Sequence, residues 1–153
     1  EIGVGGAERG GTGVNRVVVG VGSNVSPADN IAAAREHIMR DHRLAAESSF
    51  ATTPPVGYAD QPDFRNGAWL VETELPQPAF RRYLKQVEQR LGRERTRNTY
   101  GPRTIDLDVI AWNDTVVSDD YHRREFVRNA AREVAPRLPP HRTTTSEEEQ
   151  DAV

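Results

Sequence analysis

The chain has 153 residues, 36% of them apolar and 28% charged, with a formal net charge of −3 and no cysteine. That length suits one domain rather than two, the balance of charge gives no global attraction to nucleic acid, and the absence of cysteine excludes disulfides and thiolate sites. No apolar run approaches the roughly 18 residues a bilayer-spanning helix needs, so a soluble, cytoplasmic protein with no membrane partner is expected.

Residues 1–15 hold six glycines without apolar periodicity. They lack the basic and hydrophobic regions of a signal peptide and are expected to be a disordered extension. Val17-Val18-Val19-Gly20-Val21 is a β-branched run ended by Gly22-Ser23-Asn24, the pattern of a buried strand entering a turn. Ser26-Pro27 opens a helix predicted over about 27–42, with Pro27 at the first helical position and Ile31, Ala34 and Ile38 on one face. A strand follows near 47–53. In Thr53-Pro54-Pro55-Val56-Gly57 two prolines remove amide donors, so the stretch up to Asn66 is expected to be an exposed loop. Another strand is predicted at about 66–74. Pro78 to Leu91 then carries Phe80, Leu84, Val87 and Leu91 at helical spacing, with Gly92 as the stop. Ile105, Leu107, Val109 and Ala111 alternate with Asp106, Asp108 and Ile110, the period of a strand with one face buried. The order β-α-β-β-α-β predicts an α+β, ferredoxin-like core over 16–136, its helices packed on an antiparallel sheet. Beyond Pro136, the Pro139-Pro140 pair and the acidic run to Glu149 predict a disordered tail over 137–153.

Asp106 and Asp108 lie two apart on a strand and so share a face, where two carboxylates repel unless a cation or donors sit between them. Magnesium, which prefers hard oxygen ligands beside phosphates, is one reading of the pair; a solvated strand face is the other. From Arg90 to Thr104 there are five arginines (90, 93, 95, 97, 103) and one acid, Glu94, a local charge of about +4 in a net-negative chain. Arginine's planar fork suits phosphate oxygens. A salt-bridged surface loop is the alternative, but an anion held with a metal needs both signs side by side, as found here.

Three apparent phosphate motifs fail. Gly5 to Thr12 has the glycine spacing of a Walker loop, but Gly11 stands in the place of the lysine and no strand precedes it. Gly20-Val21-Gly22 has Val25 where a dinucleotide fingerprint needs its third glycine. Gly22-Ser23 lacks the downstream Asp-x-Asp of nucleotidyltransferases. The four histidines (37, 42, 122, 141) show no zinc spacing.

Gly22-Ser23-Asn24, Thr53 to Gly57, Gln61-Pro62-Asp63-Phe64-Arg65-Asn66, Glu88 through Leu91-Gly92-Arg93, and Gly101-Pro102-Arg103-Thr104-Ile105-Asp106-Leu107-Asp108 closely resemble the 6-hydroxymethyl-7,8-dihydropterin pyrophosphokinase family of folate synthesis. The resemblance implies transfer of pyrophosphate from ATP to the hydroxymethyl oxygen of the reduced pterin, with release of AMP. It implies that Asp106 and Asp108 bind two Mg²⁺ ions and that Arg93 and Arg103 steady the phosphates. It places Asn66 on the pterin edge, the backbone around Thr53, Pro54 and Val56 on its other polar atoms, and Phe64 on one ring face, with Phe126 the candidate for the opposite face. Ordinary core packing is the alternative for Phe64. On the nucleotide side it implies Lys85, Glu88, Arg95, Tyr100, Val109 and Arg124, of which Lys85 and Glu88 also fit a plain i,i+3 surface pair. Arg95, Arg97 and Tyr100 correspond to a loop that closes over ATP.

The pattern departs after Asp108. Only 18 positions separate it from Phe126, and the Pro-His segment expected there is missing, although Arg124, Phe126 and Glu133-Val134-Ala135-Pro136 fit. Tyr121 and His122 are the candidates to replace it, His122 as a donor to phosphate when protonated; a surface helix starting at Asp119-Asp120 is the competing reading. Two hypotheses follow: an active, monomeric pyrophosphokinase for this or a related pterin, and a pterin-binding protein with little transfer. An RNA-binding domain is disfavoured, because the strands lack interleaved aromatic and basic residues.

Overall fold

The computed structural model describes residues 13–54, 62–95 and 104–140, and of residues 93–95 the backbone only. The expectations for residues 1–12 and 141–153 lie outside that set. Among the described residues the elements run β1 (Asn15–Ser23), α1 (Pro27–Asp41), β2 (Arg43–Glu47), β3 (Ala51–Thr53), β4 (Phe64–Thr73), α2 (Gln77–Arg95), β5 (Asp106–Trp112), β6 (Thr115–Val116), α3 (Asp119–Arg123) and α4 (Glu125–Val134). The strands form one sheet in the order β2-β4-β1-β5-β6, with β3 also paired to β4. Each of these pairings is antiparallel. The α+β arrangement is the predicted one, with the first strand inserted between the later strands β4 and β5.

Helices cover both faces. Val17, Val19 and Val21 of β1 pack with Trp69, Val71, Leu107 and Val109 under α1 and α2. Val18, Ala68, Leu70, Ile110 and Ala111 pack against Tyr121, Ala131, Val134 and Leu138 on the α3 and α4 side. The continuous valine run of β1 is therefore buried from both sides, as a central strand between two apolar layers requires.

Strict alternation along β5 does not hold. The β1–β5 register pairs Val19 with Val109 and Val18 with Ala111, leaving Ile110 as an extra residue. This bulge reverses the sense of the side chains beyond it, so Ala111 joins Ile110 on the α4 side instead of following Val109. The strand predicted at 47–53 is two strands, and its linking residue Ser48 is fixed to β4 by two hydrogen bonds, from Ser48 N–H to the Ala68 carbonyl (2.9 Å) and from Ala68 N–H to Ser48 Oγ (2.8 Å). Helix α2 does not stop at Gly92. That glycine does not adopt the left-handed conformation of a helix-ending cap, and the helix continues to Arg95.

The segment after Asp108 is compact because β5 and β6 are joined by Asn113-Asp114, both with positive φ (50° and 71°). Such a two-residue turn matches strand twist and favours Asn and Asp at these positions. Ser118 then caps α3, its Oγ accepting from Asp120 N–H at 3.2 Å. The folded unit also extends past Pro136. Leu138 is buried, Arg132 Nε donates to its carbonyl at 2.9 Å, and the Tyr121 hydroxyl donates to the Pro139 carbonyl. An apolar residue filling the α4-side core was hidden behind the proline-rich composition that suggested a tail.

Candidate active site

The strand register assembles the site. Gly22 of β1 lies opposite Asn66 of β4 on one side and Asp106 of β5 on the other, while Gly20 lies between Ala68 and Asp108. Across β4, Thr53 of β3 faces Phe64. Paired residues share a face and alternate residues return to it, so Thr53, Phe64, Asn66, Gly22, Gly20, Asp106 and Asp108 all look out on one side, the side that α4 covers further along. Two strand spacings separate the Asn66 and Asp106 positions, about 10 Å.

Phe64 is half-buried and belongs to neither apolar core, which removes core packing as its role. Asn66 Nδ2 donates to Thr53 Oγ1 at 2.5 Å. Pro54 is exposed directly after β3. Phe126, also half-buried and outside both cores, is in the first turn of α4. Asp106 is half-buried and Asp108 exposed. Two neighbouring carboxylates open to solvent fit a magnesium ion that completes its shell with phosphate and water. Among the described residues no cluster of three acidic or histidine side chains forms a self-sufficient metal cage.

The nucleotide-side expectations fare unevenly. Glu88 Oε2 accepts the Leu107 N–H at 2.6 Å, and Lys85 Nζ lies 3.3 Å from its other oxygen. Beyond β6, which pairs only with the far end of β5, this carboxylate satisfies an edge amide between the two aspartates. Burial pushes the Glu88 carboxyl above its usual range, with Asp106 adding to the effect and the Leu107 and Lys85 hydrogen bonds opposing it. Val109 is buried in the α1/α2 core, so its side chain cannot meet a nucleotide and only its backbone is left for that role. Tyr121 is likewise core, not a replacement nucleotide contact, because its ring fills the space under β1 and α4. His122 is half-buried, and its Nδ1 has no partner among the described residues. Arg124 Nε lies 3.6 Å from Asp120. Arg93 and Arg95 occupy the last turn of α2, but their side chains, together with Val56, Arg97, Tyr100 and Arg103, lie outside the described residues.

Sequence reasoning gave no role to the residues that hold this arrangement. Ser23 is fully buried and its hydroxyl donates to the Thr104 carbonyl at 2.6 Å, fixing the lead into β5. Asn24 Nδ2 donates to the Pro62 carbonyl at 3.0 Å, fixing the lead into β4. Glu133 accepts from Ser49 N–H (3.1 Å) and Ser49 Oγ (3.0 Å), tying α4 to the link between β2 and β3. The signal for all three was their place in the quoted motifs, which spacing alone could not convert into a contact.

A separate crevice of about 340 Å³ between α1 and α2 is lined by His37, Asp41, His42, Tyr83, Gln86 and Arg90. Tyr83 Oη lies 2.9 Å from Asp41 Oδ2, a hydrogen bond the hydroxyl donates, and burial raises its pKa. The crevice is on the sheet face away from the two aspartates.

The family model for 7,8-dihydro-6-hydroxymethylpterin-pyrophosphokinase matches residues 18–136. A 2-amino-4-hydroxy-6-hydroxymethyldihydropteridine pyrophosphokinase of Methylorubrum extorquens is 38% identical over 136 residues, covering 82% of this chain and 85% of the relative. The enzyme of the same name from Haemophilus influenzae is 33% identical over 120 residues, covering 71% and 74%. A folate synthesis bifunctional protein of Arabidopsis thaliana is 33% identical over 106 residues, 68% of this chain but 22% of that protein. With a match that spans every described element except the chain's extremities, the chain belongs to the 7,8-dihydro-6-hydroxymethylpterin-pyrophosphokinase family.

Proposed function

We propose that the face built on Gly20 and Gly22 is where pyrophosphate passes from ATP to the hydroxymethyl group of 6-hydroxymethyl-7,8-dihydropterin. The chain is an ATP-dependent pyrophosphokinase of folate synthesis. The pterin hydroxyl oxygen bonds to the β-phosphorus and gives up its proton, the bond from that phosphorus to the α-phosphate oxygen breaks, and AMP leaves. Such a reaction asks for positioning and charge stabilisation more than for covalent help from the protein.

The observation that carries this reading is the single row Asn66–Gly22–Asp106. Its ends, about 10 Å apart, suit a bicyclic heterocycle whose substituent reaches toward phosphates gathered at the aspartates. Asn66 and the backbone at Thr53, Pro54 and Val56 hold the pterin edge, with Phe64 and Phe126 on its two faces. Asp106 and Asp108 would hold two Mg²⁺ ions, which neutralise phosphate charge when bound. Arg93 and Arg103 bind the transferred phosphates, and Lys85, Arg95, Tyr100, His122, Arg124 and the Val109 backbone serve the nucleotide. Glu88 acts from behind, through Leu107. The same reading has the chain work as a cytoplasmic monomer on small molecules, without nucleic acid or membrane.

The test is AMP release from ATP in the presence of Mg²⁺, with and without 6-hydroxymethyl-7,8-dihydropterin. Pterin-dependent AMP supports the reading. Folded protein that binds the pterin but releases no AMP would favour the second reading, a pterin-binding role, for which the short stretch between Asp108 and Phe126 is the specific observation.

A further inference from the structure

The Asn66 side chain is confined from two sides. On one, its Nδ2 is held by Thr53 Oγ1 at 2.5 Å. On the other it lies over Gly22, where an added Cβ would stand 2.7 Å from Asn66 Oδ1, 3.7 Å from its Cγ and 3.8 Å from Phe64 Cδ1. Contacts under 3.0 Å are essentially never made by real Cβ atoms, so any side chain at position 22 displaces the amide. Gly22 is extended β backbone and is not among the positive-φ residues, so its conformation is open to any residue. Space, not backbone freedom, is what makes it a glycine.

We infer that Gly22 and Thr53 are positioning residues that set where the Asn66 amide meets the heterocycle, and thereby determine selectivity for it. The inference rests on the proposed role of Asn66 at the pterin edge. Asn66 projects from β4 one strand away from each of them, Thr53 on β3 and Gly22 on β1. With the Thr53 hydroxyl holding one end of the amide and the bare Gly22 backbone beneath the other, the amide has one seat. A planar polar edge recognises its partner only if its donors and acceptors are fixed in advance, because each degree of freedom left open must be lost on binding.

The experiment uses the full chain with ATP, Mg²⁺ and 6-hydroxymethyl-7,8-dihydropterin. Gly22→Ala and Thr53→Val are each expected to raise the pterin KM about tenfold while kcat stays within about threefold and the ATP KM is unchanged, the signature of lost substrate binding rather than damaged chemistry. Thr53→Ser, which keeps the hydroxyl, should restore the wild-type pterin KM. On an Asn66→Ala background, Gly22→Ala should add less than about twofold, since the group it displaces is already gone. Additive effects on that background, or an unchanged pterin KM in Gly22→Ala, would overturn the inference while leaving the enzyme reading intact. Should Gly22→Ala fail to fold by circular dichroism, Thr53→Val and its serine rescue decide the matter alone. If the unsubstituted chain releases no pterin-dependent AMP, the role of Asn66 falls first and the inference with it.

Discussion

Glu88 separates two roles that the same carboxylate could play, nucleotide ligand or support for the aspartate strand. Its side chain is 14% exposed, with Oε2 2.6 Å from the Leu107 nitrogen. Glu88→Ala strands that amide at a largely buried edge, which costs about 1–3 kcal/mol, with roughly another 0.3–0.5 kcal/mol for the exposed Lys85 pair. Because Leu107 lies between Asp106 and Asp108, the loosened strand should also lower kcat about tenfold, equivalent to ~1.4 kcal/mol of barrier, with little change in the ATP KM. Glu88→Gln keeps an acceptor for Leu107 and should hold kcat within about twofold. The pH dependence has a definite sign. The carboxyl is raised in the folded state, first by burial, so the stability it contributes is full below the ordinary value of 4.5 and is lost as pH rises through the folded value. Glutamine stays neutral and escapes that loss, so Glu88→Gln should gain on the wild type in urea midpoint between pH 4 and pH 8. A tenfold rise in the ATP KM of Glu88→Gln, with its urea midpoint tracking the wild type at both pH values, would refute the reasoning and return Glu88 to the nucleotide.

Three further outcomes are expected. Asp108→Ala should abolish Mg²⁺-dependent turnover in a chain that stays folded by circular dichroism, since the side chain is exposed; wild-type rates would remove the metal proposal. Phe126→Ala should raise the pterin Kd well above any change in the ATP Kd, by about fivefold if one stacked ring contributes near 1 kcal/mol, and equal losses for both ligands by calorimetry would displace this ring from the pterin face. His42 packs edge-on to Phe80 and Tyr83, and burial lowers its pKa from 6.5, partly countered by Asp41. Its stability contribution is therefore full above pH 6.5 and lost as pH falls through the folded value, so His42→Phe should flatten the drop in melting midpoint between pH 7.5 and 5.5.

What could be read from the sequence was what local period dictates. The β-branched run of β1 is read from its unbroken valines, the apolar stripe of α2 from spacings of three and four, and the shared face of Asp106 and Asp108 from a spacing of two. Long-range partners could not be read this way. Ser23 reaches Thr104 across 81 residues and Asn24 reaches Pro62 across 38, so the motif that contains them looked like a turn and acts as a double anchor. The bulge at Ile110 left no trace because Ile, Ala and Trp suit either face of a strand buried on both sides. Gly92 misled for the opposite reason: glycine favours a helix end only when the next segment turns away, and here the backbone stays helical.

The end of β1 therefore carries more of the site than its short turn suggests. Gly22 leaves the space over which the Asn66 amide sits, Ser23 fixes the lead into the strand with the aspartates, and Asn24 fixes the lead into the strand with Phe64 and Asn66. All three lie at or just after the end of β1, the strand that pairs with both β4 and β5. The stretch from which the expected Pro-His segment is missing lies elsewhere, after Val117 and beyond the bulge that ends the aspartate face. That stretch lies outside the row from Asn66 to Asp106, which β4, β1 and β5 build by themselves. The alignment of Asn66 with the two aspartates is thus a property of the sheet itself, independent of the segment between Asp108 and Phe126.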